Sequence, residues 1–507
     1  MAKRSESNLV VIIMVIATVL GAVWLIAGSI EAFRPLLGQF ESLFASRTFL
    51  IVAGGLLVLS LAISIFNFIK AKYRERTRRD SKEHVISLTQ RLSDEELREH
   101  FFKWLSPQEI QAYIKALSDK EPLDIIQLVD FMLVQAAGQR ASDIHLEPLE
   151  DKILMKFRID GVIHEISMLD KRIHPRLVSR LRVMSNLAIY EKGVPQDGRL
   201  TTKIMGTSYE VRISIMPTLH GEKTVIRLFG QEEMRFSLDQ LGMNSMMLEQ
   251  LTEVIRRPQG IIFLTGPTGS GKTTTIYSLL KAIYDMQQAS VNIVTIEDPI
   301  EHDVEQFNQS QVNNVRGLSF ASGLRTILRQ DPDVIMVGEI RDFETAEIAI
   351  RAGMTGHLVV TTIHADSPAG VFNRLIEMHI EPFLLSSATS AVLSQRLLRK
   401  LCPHCREPAI PPLSLLERAG IPPDREQHYF TARGCGKCIY RGFQGRTGIF
   451  ELLVVNDRIR DMIAHKSSTH EIRNEIRRQG VQSLMEDGLR KVDQGITSLQ
   501  ELLRVTM

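Results

Sequence analysis

The sequence carries almost no net charge: 61 lysines and arginines stand against 59 acids, leaving +2 at neutral pH. A balance of this kind sets up no whole-protein field, and no long basic stripe interleaved with aromatics runs through the body of the chain, so no nucleic acid is expected among its partners. Fixed-period repeats and low-complexity tracts are also missing. A composition of 44% apolar and 24% charged residues excludes a disordered or collagenous chain. Cysteine is scarce, with four residues in 507, and a chain of this length is expected to divide into two to four domains.

Charge is absent altogether from two apolar runs, Leu9 to Ile30 and Thr48 to Ile69. A helix of 22 residues is about 33 Å long, enough for a hydrocarbon core of about 30 Å. The first run is too long for a signal-peptide core, and a second follows soon after, so the reading is a transmembrane hairpin; a buried helical pair is the competing one. Lys70, Lys72, Arg74, Arg76, Arg78 and Arg79 crowd the end of the second run, which points both termini to the cytoplasm. That cluster either touches anionic membrane lipid or is a plain solvated helix.

Beyond it, residues 81–121 show helical apolar spacing, compatible with a linker or a docking element. A helix is expected from Asp124 to Gly138. Asp160-Gly161 signals a tight hairpin, and two more strands are expected around Gly206, giving an α+β domain. Apolar strand candidates recur at Gly260 to Thr265, Val291 to Ile296, Asp333 to Val337 and His357 to Ile363, with helical patterns between them. Alternation of that kind implies a parallel sheet with crossover helices.

The strongest chemical signal is G-x-x-x-x-G-K-T at Gly266, Gly271, Lys272 and Thr273, directly after the strand GIIFLT and before a helix-compatible run. In such a loop, Gly266, Pro267, Thr268, Gly269, Ser270, Gly271, Lys272, Thr273 and Thr274 surround a nucleotide. Backbone N–H groups turn inward on phosphate, Lys272 reaches the terminal phosphates, and the Thr273 hydroxyl goes to Mg2+. Hydrolysis of ATP also needs a carboxylate near the γ-phosphate. Glu339, at the end of the buried run VIMVGE, is the candidate, with a surface acid as the alternative. Asp331, Asp333 and Asp342 suit structural or capping roles.

The cysteines form two C-x-x-C knuckles, Cys402 with Cys405 and Cys435 with Cys438. Four thiolates suit tetrahedral structural Zn2+, which takes about four ligands near 2.3 Å. Free buried thiols and redox activity compete with that reading, and His404 is a minor rival ligand.

Taken together, GPTGSGKTTT, TIEDPIE with Glu297, Asp298 and Glu301, LRQDPDVIMVGEIRD, and TTIHADSP with His364 resemble the Walker A, Asp, Walker B and His boxes of the type II/type IV secretion ATPase superfamily. Upstream, ASDIHLEP, QDGR and PTLHGEKTVIRLF extend the resemblance. It implies an α/β fold: a RecA-like P-loop ATPase domain (236–395) preceded by a smaller α+β domain (122–235). A tetracysteine module (396–450) and a C-terminal helical region (451–507) follow, as a zinc-binding helical region; a hairpin with spans 9–30 and 48–69 (1–80) and a helical linker (81–121) precede.

The same resemblance implies a homo-hexamer that powers type IV pilus assembly or type II secretion. It would work at the bacterial inner membrane beside a polytopic platform protein and pilin-like subunits. By position Arg212 and Arg227, and less so Arg199, resemble arginines presented to the phosphates; an ordinary strand-surface arginine is the competing reading. Arg325, Arg329 and Arg341 either approach phosphate or hold ion pairs between subunits. His364 is expected to sense the γ-phosphate or the Asp box, against a satisfied core histidine. The four cysteines favour assembly over a retraction motor; a nucleotide-gated membrane scaffold is the reading from another class.

Overall fold

The computed structural model describes residues 105–118, 124–230, 237–288, 290–422 and 428–507. The expected spans 9–30 and 48–69, the basic segment after them and most of the 81–121 linker lie outside the described residues. Among the described residues no helix is long and apolar enough to cross a membrane.

The first domain opens with helix α1 (Pro107–Ser118). This end of the expected linker is part of the domain core: Ile110, Ile114 and Leu117 are buried. Gln111 accepts from Met168 N at 2.7 Å and donates to Met168 O at 3.1 Å. Helix α2 (Ile125–Gly138) starts where expected, because Asp124 caps it by accepting from Ile126 N and Gln127 N. It is apolar nearly all round and buried accordingly. Six strands follow: β1 (Ala141–Pro148), β2 (Lys152–Ile159), β3 (Val162–Asp170), β4 (Gln196–Ile204), β5 (Thr207–Thr218) and β6 (Gly221–Gly230), with α3 (His174–Met184) between β3 and β4. They form one antiparallel sheet in the order β3-β2-β1-β6-β5-β4. The Asp160-Gly161 and Met205-Gly206 turns join the hairpins β2–β3 and β4–β5, as the sequence predicts, with positive φ at all four residues.

The second domain begins with α4 (Ser245–Ile255). It continues through β7 (Gly260–Thr265), α5 (Lys272–Met286), β8 (Ile293–Glu297), β9 (Asn308–Gln311), α6 (Phe320–Ile327), β10 (Val334–Val337), α7 (Phe343–Met354) and β11 (Leu358–Ile363). After α8 (Pro368–Glu377) and α9 (Pro382–Ala388) comes the long strand β12 (Thr389–Leu401). The sheet order is β15-β12-β7-β11-β10-β8-β9, where β15 spans Phe443–Val454. All neighbours run parallel except β12 and β15.

Strands covered on both faces read as continuous apolar runs, which is why GIIFLT and VIMV show no alternation. Their side chains nevertheless divide by parity. Ile261, Phe263, Ile335 and Val337 face one apolar core, with α6, α7 and α8; Ile262, Leu264, Val334 and Met336 face the other, with α4 and α5. Truncating a fully buried side chain here, such as Phe263→Ala, would cost about 3–5 kcal/mol.

The expected boundaries at 395/396 and 450/451 fall inside β12 and β15. The cysteine module is an insertion between these two paired strands; its described residues form a small ribbon of β13 (Arg406–Pro408) and β14 (Phe430–Ala432), a short helix, α10 (Leu413–Ala419), and a 3-10 turn at Gly436–Cys438. It is not itself helical; the helices come afterwards, as α11 (Asp457–Ala464), α12 (Thr469–Arg478), α13 (Leu484–Asp493) and α14 (Leu499–Thr506). α14 clamps the root of the insertion, since buried Glu501 accepts from Arg399 on β12 at 2.7 Å.

Candidate nucleotide site

β7 ends at Thr265 and α5 begins at Lys272, so the six residues between them form a glycine loop whose N–H groups lead into a helix N-terminus. Gly271 caps α5 at φ +87°, where an L side chain is strained. Two glycines are also fixed by close approach: a Cβ on Gly266 would lie 2.5 Å from Gln395 O, and one on Gly271 2.9 Å from Gln395 Nε2. Gln395, on β12, supports the loop from below. Its Nε2 donates to Ser270 O at 2.8 Å, while its Oε1 accepts from Thr275 Oγ1 at 2.8 Å. The Ser270 hydroxyl is buried and makes no hydrogen bond among the described residues.

Lys272 Nζ folds back onto the loop, donating to Gly266 O at 2.8 Å and Pro267 O at 3.1 Å. Burial pushes its pKa down, and the nearby Glu339 and Glu301 carboxylates partly restore it. Glu339 lies two residues past the end of β10, a little beyond where the sequence puts it. It is mostly buried and pairs with Arg341 Nη2 at 2.5 Å. His364, immediately after β11, has Nε2 3.6 Å from the Glu339 carboxylate. The histidine therefore meets the Walker B acid rather than the Asp box. Arg341 is drawn to both Glu339 and Asp298.

Within TIEDPIE the three acids have different surroundings. Glu297 is buried and accepts from Tyr277, Thr295 and Gln309, while Asp298 and Glu301 are exposed. Asp342 caps α7 through Thr345 N, and Asp333 accepts from Asn292 N, so both hold structural positions as predicted. Arg325 pairs with Glu344, and Arg329 donates to Arg325 O.

On the first domain, Arg199, Arg212 and Arg227 stand in direct cross-strand register, Arg199 opposite Arg212 and Arg212 opposite Arg227. The row continues to Asp143 on β1 and Arg158 on β2. Glu210 is bonded to Arg212, and burial holds His302, just after TIEDPIE, below its ordinary pKa, with the Glu301, Glu297 and Glu210 carboxylates opposing that shift.

The four cysteines converge. Their sulfurs lie within 4.8 Å of one another, with Cys402–Cys435 at 3.9 Å, Cys405–Cys438 at 3.8 Å and Cys435–Cys438 at 3.9 Å. Zinc at about 2.3 Å from four sulfurs gives a tetrahedron with edges of about 3.8 Å, so the donor set fits that ion. Backbone N–H groups of Cys435 and Gly442 donate to Cys438 Sγ at 3.2 Å each, as a thiolate would ask.

Gln395 and Tyr277 are not singled out by the sequence patterns. A faint signal exists for each: a glutamine inside the apolar run TSAVLSQRLL, and a tyrosine on the otherwise apolar face of α5.

Residues 117–504 match the family described as Type II/IV secretion system protein. The chain is 45% identical over 390 residues to the type II secretion system protein E of Pseudomonas aeruginosa, covering 77% of each. It is 42% identical over 384 residues to the type IV pilus assembly ATPase PilB of Myxococcus xanthus, covering 75% of this chain and 67% of that one. Among solved structures, the Legionella pneumophila ATPase DotB shares the fold, with a TM-score of 0.56 at 22% identity over 76% of this chain and 97% of that one.

Proposed function

The chain belongs to the type II/IV secretion system protein family and is a motor ATPase of a secretion or pilus machine, and from that premise we propose how its residues divide the work. Water attacks the γ-phosphorus of ATP as the bond to ADP breaks, with Glu339 orienting that water and accepting its proton. Lys272 leaves Gly266 O and Pro267 O for the terminal phosphates. Loop N–H groups from Gly266 to Thr274 hold the phosphate chain, and His364 and Arg341 keep Glu339 aimed. Glu297 fixes the TIEDPIE segment from inside, so that Asp298 and Glu301 present their charge at the surface of the site.

The Thr273 hydroxyl, in the first turn of α5, would hold Mg2+, an oxygen-seeking cation. When bound, that ion supplies neutralisation of the phosphate charge. Arg212 and Arg227 act on the same charge from the first domain. Cys402, Cys405, Cys435 and Cys438 hold a structural Zn2+.

The protein works as a homo-hexamer at the bacterial inner membrane, anchored by the spans 9–30 and 48–69. It acts on a polytopic platform protein and pilin-like subunits in pilus assembly or type II secretion. What supports this reading above all is that the P-loop with Lys272 and the acid Glu339 both follow the carboxyl ends of strands of one parallel sheet, β7 and β10, with the identities reported above. Mg-dependent turnover of the full chain, measured beside Lys272→Ala and Glu339→Gln with the oligomer mass read in parallel, tests it. A hexamer whose turnover both substitutions abolish supports the motor; nucleotide binding without turnover in any oligomer leaves a gated scaffold instead.

A further inference from the structure

The two arginines of the cross-strand row share one mode of attachment. Arg227 donates through Nε to Asp143 Oδ1 at 2.8 Å. Arg212 donates through Nε to Glu210 Oε1 at 2.9 Å and lies over the Phe229 ring, 4.5 Å from its centroid. Neither arginine makes an Nη hydrogen bond among the described residues. Each guanidinium is therefore gripped from the side and leaves its two terminal nitrogens uncommitted, the arrangement that suits an anion with paired oxygens.

Asp143 is placed to do this. It is buried, with 4% of its surface exposed, although Arg227 is more than half exposed. It sits opposite Arg227 across β1–β6 and opposite Arg158 across β1–β2. Besides Arg227 its carboxylate meets Arg158 Nε at 3.5 Å and the Ser142 hydroxyl at 2.8 Å. A buried carboxylate is expensive to keep unless its partners hold it, and here one partner is an arginine engaged only through its Nε.

We propose that Asp143 is a positioning residue for hydrolysis: it holds Arg227 by Nε so that both Nη groups face a phosphoryl group, as Glu210 and Phe229 hold Arg212. The inference rests on the reading that these arginines act on the nucleotide. An arginine left free to swing must be ordered at each turnover, whereas one fixed beforehand acts without that cost. The loss on removing Asp143 therefore falls on kcat and travels through Arg227.

The test is a double-mutant cycle on the full chain: Asp143→Asn, Arg227→Ala and both together, with kcat, KM for ATP and melting temperature measured for each. Arg227→Ala is expected to lower kcat about 100-fold or more. Asp143→Asn should lower it about 10-fold with KM changed less than about 2-fold, and the double variant should fall no lower than Arg227→Ala alone. Losses that multiply, to about 1000-fold in the double variant, overturn the proposal and leave Asp143 a structural acid. If Arg227→Ala alone keeps wild-type kcat, the reading of the arginines has failed, which is a different result. Should Asp143→Asn not fold, the same cycle on the more exposed pair Glu210→Gln and Arg212→Ala decides by the same criterion.

Discussion

The phenol of Tyr277, midway along α5, donates to the buried Glu297 carboxylate at 2.5 Å. Thr295 and Gln309 add donors at 2.7 and 3.0 Å. Burial and the neighbouring carboxylate push the Tyr277 pKa up, so the phenol stays a donor throughout the working pH range. The helix that leads out of the P-loop is thereby tied to the acidic segment beside it. Tyr277→Phe keeps the ring packing against Phe307 but leaves a buried charge one donor short. It should cost about 1–3 kcal/mol, read as a drop in melting temperature. An unchanged melting curve would mean that two donors suffice for Glu297.

Gln395 makes a second tie, between β12 and the loop itself. Gln395→Ala strips the support from Ser270 O and leaves the Thr275 hydroxyl without its acceptor. A loop that must be ordered by the nucleotide binds it more weakly, so KM for ATP should rise several-fold, about 3- to 10-fold for a loss near 1 kcal/mol. Titration with a non-hydrolysable analogue separates this from an effect on chemistry: weaker analogue binding is expected, and unaltered binding would refute the role.

Metal analysis of the protein purified under reducing conditions should return close to one zinc per chain, from four thiolates at the stated sulfur spacings. Cys402→Ser and Cys438→Ser should each lower that occupancy and expose residues 402–442 to proteolysis before the ATPase sheet melts. Protein that is zinc-free as isolated would remove the site.

The first domain should be acid-sensitive at one identifiable pair. Glu222 accepts from Arg182 Nη2 at 2.6 Å, and Arg182 is almost fully buried. That hydrogen bond holds the Glu222 carboxyl below its ordinary value of 4.5, so the folded state binds fewer protons than the unfolded one. The stabilisation is complete above that ordinary value and disappears as pH falls through the lower folded one. Melting temperature followed from about pH 6 to 3 should drop more steeply for wild type than for Glu222→Gln; parallel curves would disprove the assignment.

Local signals in this chain read out well. The P-loop follows its strand and opens its helix as the pattern requires, and the four core strand candidates appear within two residues of their predicted limits. Those signals depend only on neighbours: glycines that permit a tight loop, and apolar runs that demand burial. What stayed hidden depends on distance along the chain. Gln395 reaches Ser270 across 125 residues, and Asp143 reaches Arg227 across 84. The pairing of β12 on β7 sets Gln395 beneath the loop, and the register of β1 on β6 sets Asp143 opposite Arg227. Drawing domain limits around the cysteines cut β12 and β15 short, because conspicuous ligands concealed that their flanks complete the ATPase sheet.

β12 carries Gln395 under the phosphate loop and ends at Leu401, one residue before Cys402. Six residues, 396–401, separate the two, so Cys402 lies seven residue steps of roughly 3.3 Å, about 23 Å, from Gln395 along a path broken by one register shift between Arg399 and Leu401. The cysteine module is thus mounted on a strand whose middle bears on the P-loop. A partner that grasps the module therefore takes hold of the same strand on which the phosphate loop rests.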